Sequence, residues 1–109
     1  MPKEYWVTRE GRRILISDMT DGHVQNTYNM LIRSARTRSQ LAALDALRYA
    51  ANAPDGAAMA AERAADEMLD MDDVEIVELF SEESKFLKRM YLEVTTRGLN
   101  TYPYYPRRK

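Results

Sequence analysis

The five residues Asn52-Ala53-Pro54-Asp55-Gly56 constrain the fold most. Helix-forming sequence lies on both sides, and Pro54 forbids one helix from running straight through. Pro54 also suits the first turn of a new helix, while Gly56 loosens the turn. Before the break, Leu41, Leu44, Leu47 and Ala51 fall on one helical face, with Arg48 beside them. After it, the stretch 57–65 contains six alanines in pairs spaced three and four apart. Such small side chains allow close helix–helix contact, including contact between subunits. They equally describe an exposed helix with little anchoring of its own. Helices are expected over about 39–52 and 55–71.

Towards the N-terminus, Tyr5-Trp6-Val7 and Ile14-Leu15-Ile16 flank a short loop containing Gly11, which reads as a β-hairpin over about 5–17. A lone hairpin is marginal in water and must pack on a helix or another chain. Asp18 or Thr20 can cap the next helix, with Asp21 favourable in its first turn. Val24, Tyr28, Leu31 and Ala35 then mark one apolar face, widened by Thr27 and Met30, over a helix at about 20–36. Ser39 can start a second helix or continue the first through a kink.

Towards the C-terminus, Leu87 or Phe86, Met90, Tyr91 and Val94 give an amphipathic stripe, and the last helix is expected over about 74–97. Within it Ser81-Glu82-Glu83-Ser84 resembles a fresh cap, and Val74–Phe80 also admits a short strand. Gly98 suits the position just beyond a helix, with Leu99 folding back in a Schellman-type end. The tail, 99–109, is extended by Pro103 and Pro106 and carries aromatic and basic groups. The expected class is α+β, mostly α: one domain, an N-terminal hairpin packed on amphipathic helices, and an extended tail.

Charge and composition narrow the function. The net charge is -1, but residues 1–48 carry eight basic and five acidic groups, residues 49–96 four and twelve, and residues 97–109 four and none. A basic head and tail thus bracket an acidic middle, which suggests pairing within or between subunits. With 109 residues the core is modest, so association of copies into a homo-oligomer would help stability. There are no cysteines and one histidine, which excludes disulfides, thiol nucleophiles, thiolate metal sites and histidine clusters. No long apolar run or secretory leader is visible, so a cytoplasmic protein with no membrane segment is expected. Glycine-rich phosphate loops and nucleophile elbows are also missing, and no catalytic residue, metal ligand or cofactor is assigned.

The segment WVTREGRRILISDMTDGHVQNTYNMLIR, residues 6–33, resembles a small family of phage and prophage proteins. The hairpin followed by helices is similar in outline to the Thoeris anti-defence 1 proteins, which sequester cyclic nucleotide immune signals. The resemblance covers about the first third of the chain and the closing helix. It implies a phage origin and a ligand sponge built from dimers or higher oligomers that binds without cleaving. In a phage-encoded protein the working compartment would be the host cell cytoplasm. No ligand residue is carried over from that family.

The residues themselves offer a binding constellation. His23, Asn26, Met30 and Arg33 line one side of the first helix at spacings of three and four. Arg33, Arg36 and Arg97 are candidates to hold phosphate, because guanidinium groups make bidentate charge-assisted bonds. Asn26 and Asn100 are candidates to read a base or sugar, and Trp6, His23 or Tyr102 to stack or close the pocket. Each also has a purely structural reading: first-turn packing for His23, a dipole-complementing turn for the arginines, and a tail laid across a neighbouring subunit for Tyr102. The expected function is non-catalytic sequestration of a small anionic ligand such as a cyclic nucleotide. One alternative is an acidic inhibitor of a host defence protein, with Asp66, Glu67, Asp70, Asp72, Asp73, Glu75 and Glu78 mimicking DNA. The other is a nucleic-acid-binding accessory protein acting through the basic aromatic tail.

Overall fold

The hairpin turns where glycine permits it. In the computed structural model, which describes residues 5–104, strands β1 (Tyr5–Val7) and β2 (Arg13–Leu15) pair antiparallel with Tyr5 opposite Leu15 and Val7 opposite Arg13. Gly11 holds φ +84°, and its N–H donates to the Thr8 carbonyl at 2.9 Å, closing the loop. The strands are shorter than expected. Ile16 leaves the ladder for a 3-10 turn, Ile16–Asp18, which plunges its side chain fully into the core. Trp6 meets Phe86 edge-on at 5.5 Å and seats the hairpin on the last helix.

Helix α1 (Asp21–Asn52) starts where the Thr20 hydroxyl accepts from His23 N–H at 3.2 Å. It runs unbroken for 32 residues, so the expected division at 36–39 is absent. That stretch contains neither proline nor glycine, and Ser39 is buried inside the helix instead of capping one. Arg36, at the expected end, is anchored to the next layer and carries the helix through. Val24, Tyr28 and Ala35 are buried as the periodicity requires, whereas Leu31 is only half-buried and Ile32 beside it fills the core; Met30 faces solvent and does not widen the core face.

Helix α2 (Asp55–Leu69) begins directly after Pro54 and folds back along the distal half of α1. It ends two residues earlier than expected, because Asp72 starts a new helix. Beyond Ser39, the side chains that α1 buries are Ala43 and Ala50, and α2 buries Ala65. The two helices therefore make a close, alanine-lined pair that projects from the main core and gives the molecule extents of 53 × 33 × 25 Å.

The expected single helix over 74–97 is two, α3 (Asp73–Phe80) and α4 (Lys85–Thr96). Asp72 caps α3 by accepting from Glu75 N–H at 2.8 Å, while Glu75 accepts from Asp72 N–H at 3.2 Å. Ser84 caps α4 by accepting from Leu87 N–H at 3.2 Å, so the serine-flanked acidic turn is a true break. At the far end Gly98 takes φ +70° and Leu99 N–H returns to the Val94 carbonyl at 2.9 Å, the expected Schellman-type close. The main core joins the proximal half of α1, α3, α4 and the 3-10 turn through Ile16, Val24, Tyr28, Ile32, Ile76, Leu87, Met90 and Val94. The protein is thus α+β and mostly helical, with a small hairpin at one end.

Candidate functional site

The polar residues divide into those consumed by the fold and those left on the surface. Arg97 is the clearest case of the first kind. Its Nε donates to Glu93 Oε2 at 2.7 Å, and Nη1 donates to the Met19 carbonyl at 2.7 Å and Asp21 Oδ1 at 2.9 Å. Nη2 donates to the Ile16 and Ser17 carbonyls, both at 3.2 Å. A guanidinium has five N–H groups, and all five are used: one within α4 itself and four to clamp α4 onto the chain leading into α1. A phosphate contact from Arg97 would have to displace them. Burial alone would raise Glu93, but hydrogen bonds from Arg97 and Arg89 outweigh it and hold its carboxyl below the usual range.

Arg36 is also internal. Its Nη2 lies 2.6 Å from Asp73 Oδ1, and Nη1 donates to the Met71 carbonyl at 3.0 Å. The other Asp73 oxygen accepts from Tyr104 N–H at 2.8 Å, so one fully buried carboxylate ties α1, α3 and the tail together. Beside it Tyr28 donates to the Thr101 carbonyl at 2.8 Å. Burial first, and the Asp73 charge second, push the Tyr28 phenol well above its ordinary pKa. Gln25 completes the clasp: its Nε2 donates to the Asn100 carbonyl and its Oε1 accepts from Asn100 N–H, each at 2.9 Å. Asn100 Oδ1 accepts from Tyr102 N–H at 2.9 Å, which shapes the tail's turn. Residues 100–104 therefore lie along their own α1 and α3. The expected basic end, Arg107 to Lys109, lies outside the described residues.

The sequence-derived candidates consequently do not form one pocket. Trp6 is half-buried against Phe86, and His23 sits half-buried in the first turn of α1. Asn26 and Arg33 are exposed on α1, about 10 Å apart along its axis at about 1.5 Å per residue. Asn100 is drawn to Gln25, one turn from Arg97's anchor and next to Asn26 in sequence, but it faces the Asn29 side of the helix. Arg97's partner Asp21 is about 18 Å from Arg33 by the same rise. The acidic run divides as well. Asp66, Glu67, Asp70 and Glu78 are exposed, while Asp72 and Asp73 are buried in capping and pairing. Sequence reasoning missed Asp73 and Gln25 as organising residues. An Asp-x-x-Glu cap over 72–75 was visible, whereas nothing local links Gln25 to a residue 75 positions away.

What remains unspent is the outer face of α1. Met30, Arg33, Thr37, Leu41, Leu44, Arg48 and Ala51 recur at spacings of three and four, and all are exposed. Leu41 is 58%, Leu44 44% and neighbouring Leu47 39% exposed, so the leucine face that the sequence marks is turned to solvent. The inner face of the distal half is filled by Ala43 and Ala50 against α2, which leaves the large side chains outside. Three adjacent exposed leucines on a projecting helix form a contiguous apolar strip of the kind that marks an interaction site. Arg33, at its proximal end, has no ion-pair partner among the described residues.

A separate open depression of about 290 Å³ lies beside α4, lined by Ser81, Lys85, Lys88, Arg89 and Leu92. Arg89 is engaged with Glu93 at 2.7 Å. Among the described residues, no three His, Asp or Glu side chains converge to hold a metal, and no helix is long and apolar enough to cross a membrane. The fold and surface define a mostly helical protein with a buried polar frame and an unpartnered helical face. No protein family, curated protein or solved structure matches the chain.

Proposed function

We propose that this chain is a non-catalytic binding protein that acts as an assembly of its own copies and holds a small anionic ligand of the nucleotide class. The observation that carries the reading is the outer face of α1, where the exposed polar residues Asn26 and Arg33 run into the apolar strip Leu41–Leu44–Leu47. An apolar strip seeks a protein surface. An uncommitted guanidinium beside it would be partly desolvated when that surface arrives, which strengthens its bonds to phosphate. The similarity of residues 6–33 to phage proteins, and of the outline to anti-defence sponges, supports a phage origin and a role in removing an immune signal. On this reading Arg33 and Asn26 touch the ligand, while Arg36, Arg97 and Asn100 hold the frame that carries them.

The alternatives draw less from the geometry. An acidic inhibitor would lose Asp72 and Asp73 from its charged surface, since both are buried. A nucleic-acid-binding tail would act with residues 100–104 tied to their own chain.

The test is calorimetric titration of the purified protein with a panel of cyclic mono- and dinucleotides. It is paired with chromatography of the supernatant after denaturing protein taken from infected or expressing cells. A saturable heat that Arg33→Ala lowers at least tenfold in affinity, with the assembly intact, supports the reading. No heat from the panel and no nucleotide in the supernatant would end it.

A further inference from the structure

The tail clasp fixes a side chain outside itself. Gln25 lies between the tail and Asn29. Its Oε1 accepts from the Asn100 main-chain N–H, and its Nε2 donates to the Asn100 carbonyl, each at 2.9 Å. A main-chain N–H can only donate and a carbonyl can only accept. These two bonds therefore decide which end of the Gln25 amide is oxygen and which is nitrogen. The remaining Nε2 hydrogen goes to Asn29, which meets it with Oδ1 at 2.8 Å. Asn29 must then keep its oxygen towards Gln25 and turn its amide nitrogen away. The main chain of the tail thus orients, through two side-chain amides in series, a pair of N–H donors on α1.

Those donors meet no acceptor among the described residues. Arg33 stands four positions further along α1, and residues at that spacing are helix neighbours, about 5–6 Å apart at Cβ. Its exposed side chain leans back towards the helix N-terminus, and so towards Asn29. Exposed Asn26 continues the same ridge. Between Asp21 and Asp45 helix α1 has no carboxylate, and residues 100–104 of the tail have none either. Asp73, beneath the tail, is fully buried and answered by Arg36. A guanidinium offers no acceptor, and Asn29 has turned its own inward. The complement of such a pair is an anionic group with acceptors alone, which describes a phosphoryl group better than a base edge.

We propose that Asn29 and Arg33 together hold the phosphoryl group of the ligand, and that the tail, acting through Gln25, keeps Asn29 in its donating orientation. The proposal rests on the reading above that Arg33 meets an anionic ligand, and it adds a second anchor and a link from the site to the tail. Asn29 is the binding residue and Gln25 a positioning residue. The link is reciprocal. An anion on Asn29 stabilises the amide series that clasps Asn100. Release of the tail frees both amides to turn over, which would present an oxygen to the anion.

Calorimetric titration of the full chain with inorganic pyrophosphate and with a cyclic dinucleotide tests both parts. Asn29→Leu removes the donors without adding charge and is expected to weaken binding about tenfold, the value of one hydrogen bond to a charged group. Asn29→Asp keeps the oxygen that Gln25 needs but puts a second one outward, and is expected to weaken binding further. Gln25→Glu cannot donate to Asn29 and is expected to cost several-fold in affinity. Tyr28→Phe loosens the tail at Thr101 without touching the amide series, and is expected to bind like the wild type. In the wild type, saturating pyrophosphate should slow hydrogen exchange at the Asn100 amide. Wild-type affinity in Asn29→Leu, with Arg33→Ala still weakened, overturns the second anchor and leaves the ligand reading standing. Equal losses in Gln25→Glu and Tyr28→Phe overturn the link, since order in the tail alone would then explain them. If neither probe binds the wild type, the ligand reading fails and the shared anchor with it. Nuclear Overhauser contacts of the Asn29 Nδ2 protons decide the orientation independently of any ligand: contacts to Arg33 support it, and contacts to Gln25 in their place overturn it.

Discussion

Replacing Asp73 by alanine tests whether the buried charge is the frame of the fold. Asp73 is fully enclosed, and both its oxygens are occupied, by Arg36 Nη2 at 2.6 Å and by Tyr104 N–H at 2.8 Å. Removing it leaves a guanidinium that is itself almost fully buried without its counter-charge. Breaking such a pair from one side costs about 3–5 kcal/mol. The released Tyr104 amide can reach water, so it adds at most about 1 kcal/mol. Against a total stability of roughly 5–15 kcal/mol for a domain, the loss would be large. Urea denaturation followed by circular dichroism reads it as a lower midpoint at unchanged slope. The exposed pair Arg38–Glu83, at 3.5 Å with side chains 48% and 66% exposed, is the internal contrast. Glu83→Ala should change stability by no more than about 0.5 kcal/mol. The double variant Arg36→Met/Asp73→Leu should recover at least half the loss of Asp73→Ala, because it removes both charges from the interior. A cost below about 1 kcal/mol for Asp73→Ala, or a double variant worse than either single change, would refute this account of the core.

Other consequences are smaller and local. Gly98→Ala should cost about 1–2 kcal/mol, since the residue holds φ +70° and an added Cβ meets no atom within 4 Å; the penalty is then the backbone's alone. Gly98→Asn should cost less in the same urea titration. Tyr28→Phe keeps the ring but drops the bond to Thr101, so amide exchange over residues 100–104 should quicken with a stability loss of about 1 kcal/mol. Glu93 has a folded pKa below its ordinary 4.5, so its contribution is present above pH 4.5 and is lost as pH falls through the lower, folded value. In acid titrations Glu93→Gln should therefore show a shallower decline in stability below pH 4.5 than the wild type does.

The elements that sequence could place are those whose signals are local. Thr20 and Ser84 as caps, Pro54 as a barrier and Gly98 as a helix end each act within one turn of chain. The same holds for the apolar rows of α4 and proximal α1. The continuity of α1 through 36–39 was not legible, because Ser39 suits both a cap and a buried helical position. Only the packing of Arg36 on Asp73 decides between them. The exposure of the leucines of distal α1 was not legible for a related reason. Periodicity shows that they share a face, but not whether alanines on the other face have already claimed the neighbouring helix. Asp73 hid in a run of carboxylates whose members look alike until one is buried. Arg97 was legible as important but not as a clamp, since its partners lie at the other end of the chain. The candidate site suffered most. Arg36, Arg97 and Asn100 belong to the frame, and what survives as exposed and uncommitted is Asn26 and Arg33.

The central claim is that the protein works as an assembly of its own copies and that the outer face of α1 takes part in it. Sedimentation equilibrium of the wild type and of Leu44→Glu, over a hundredfold range of concentration, addresses it most directly. Leu44 is already 44% exposed, so the glutamate should leave the fold and its urea midpoint nearly unchanged. The wild type should sediment at twice its 12.6 kDa chain mass or a higher multiple, and Leu44→Glu at the chain mass itself. Equal masses for the two proteins, whether single or multiple, would contradict the account.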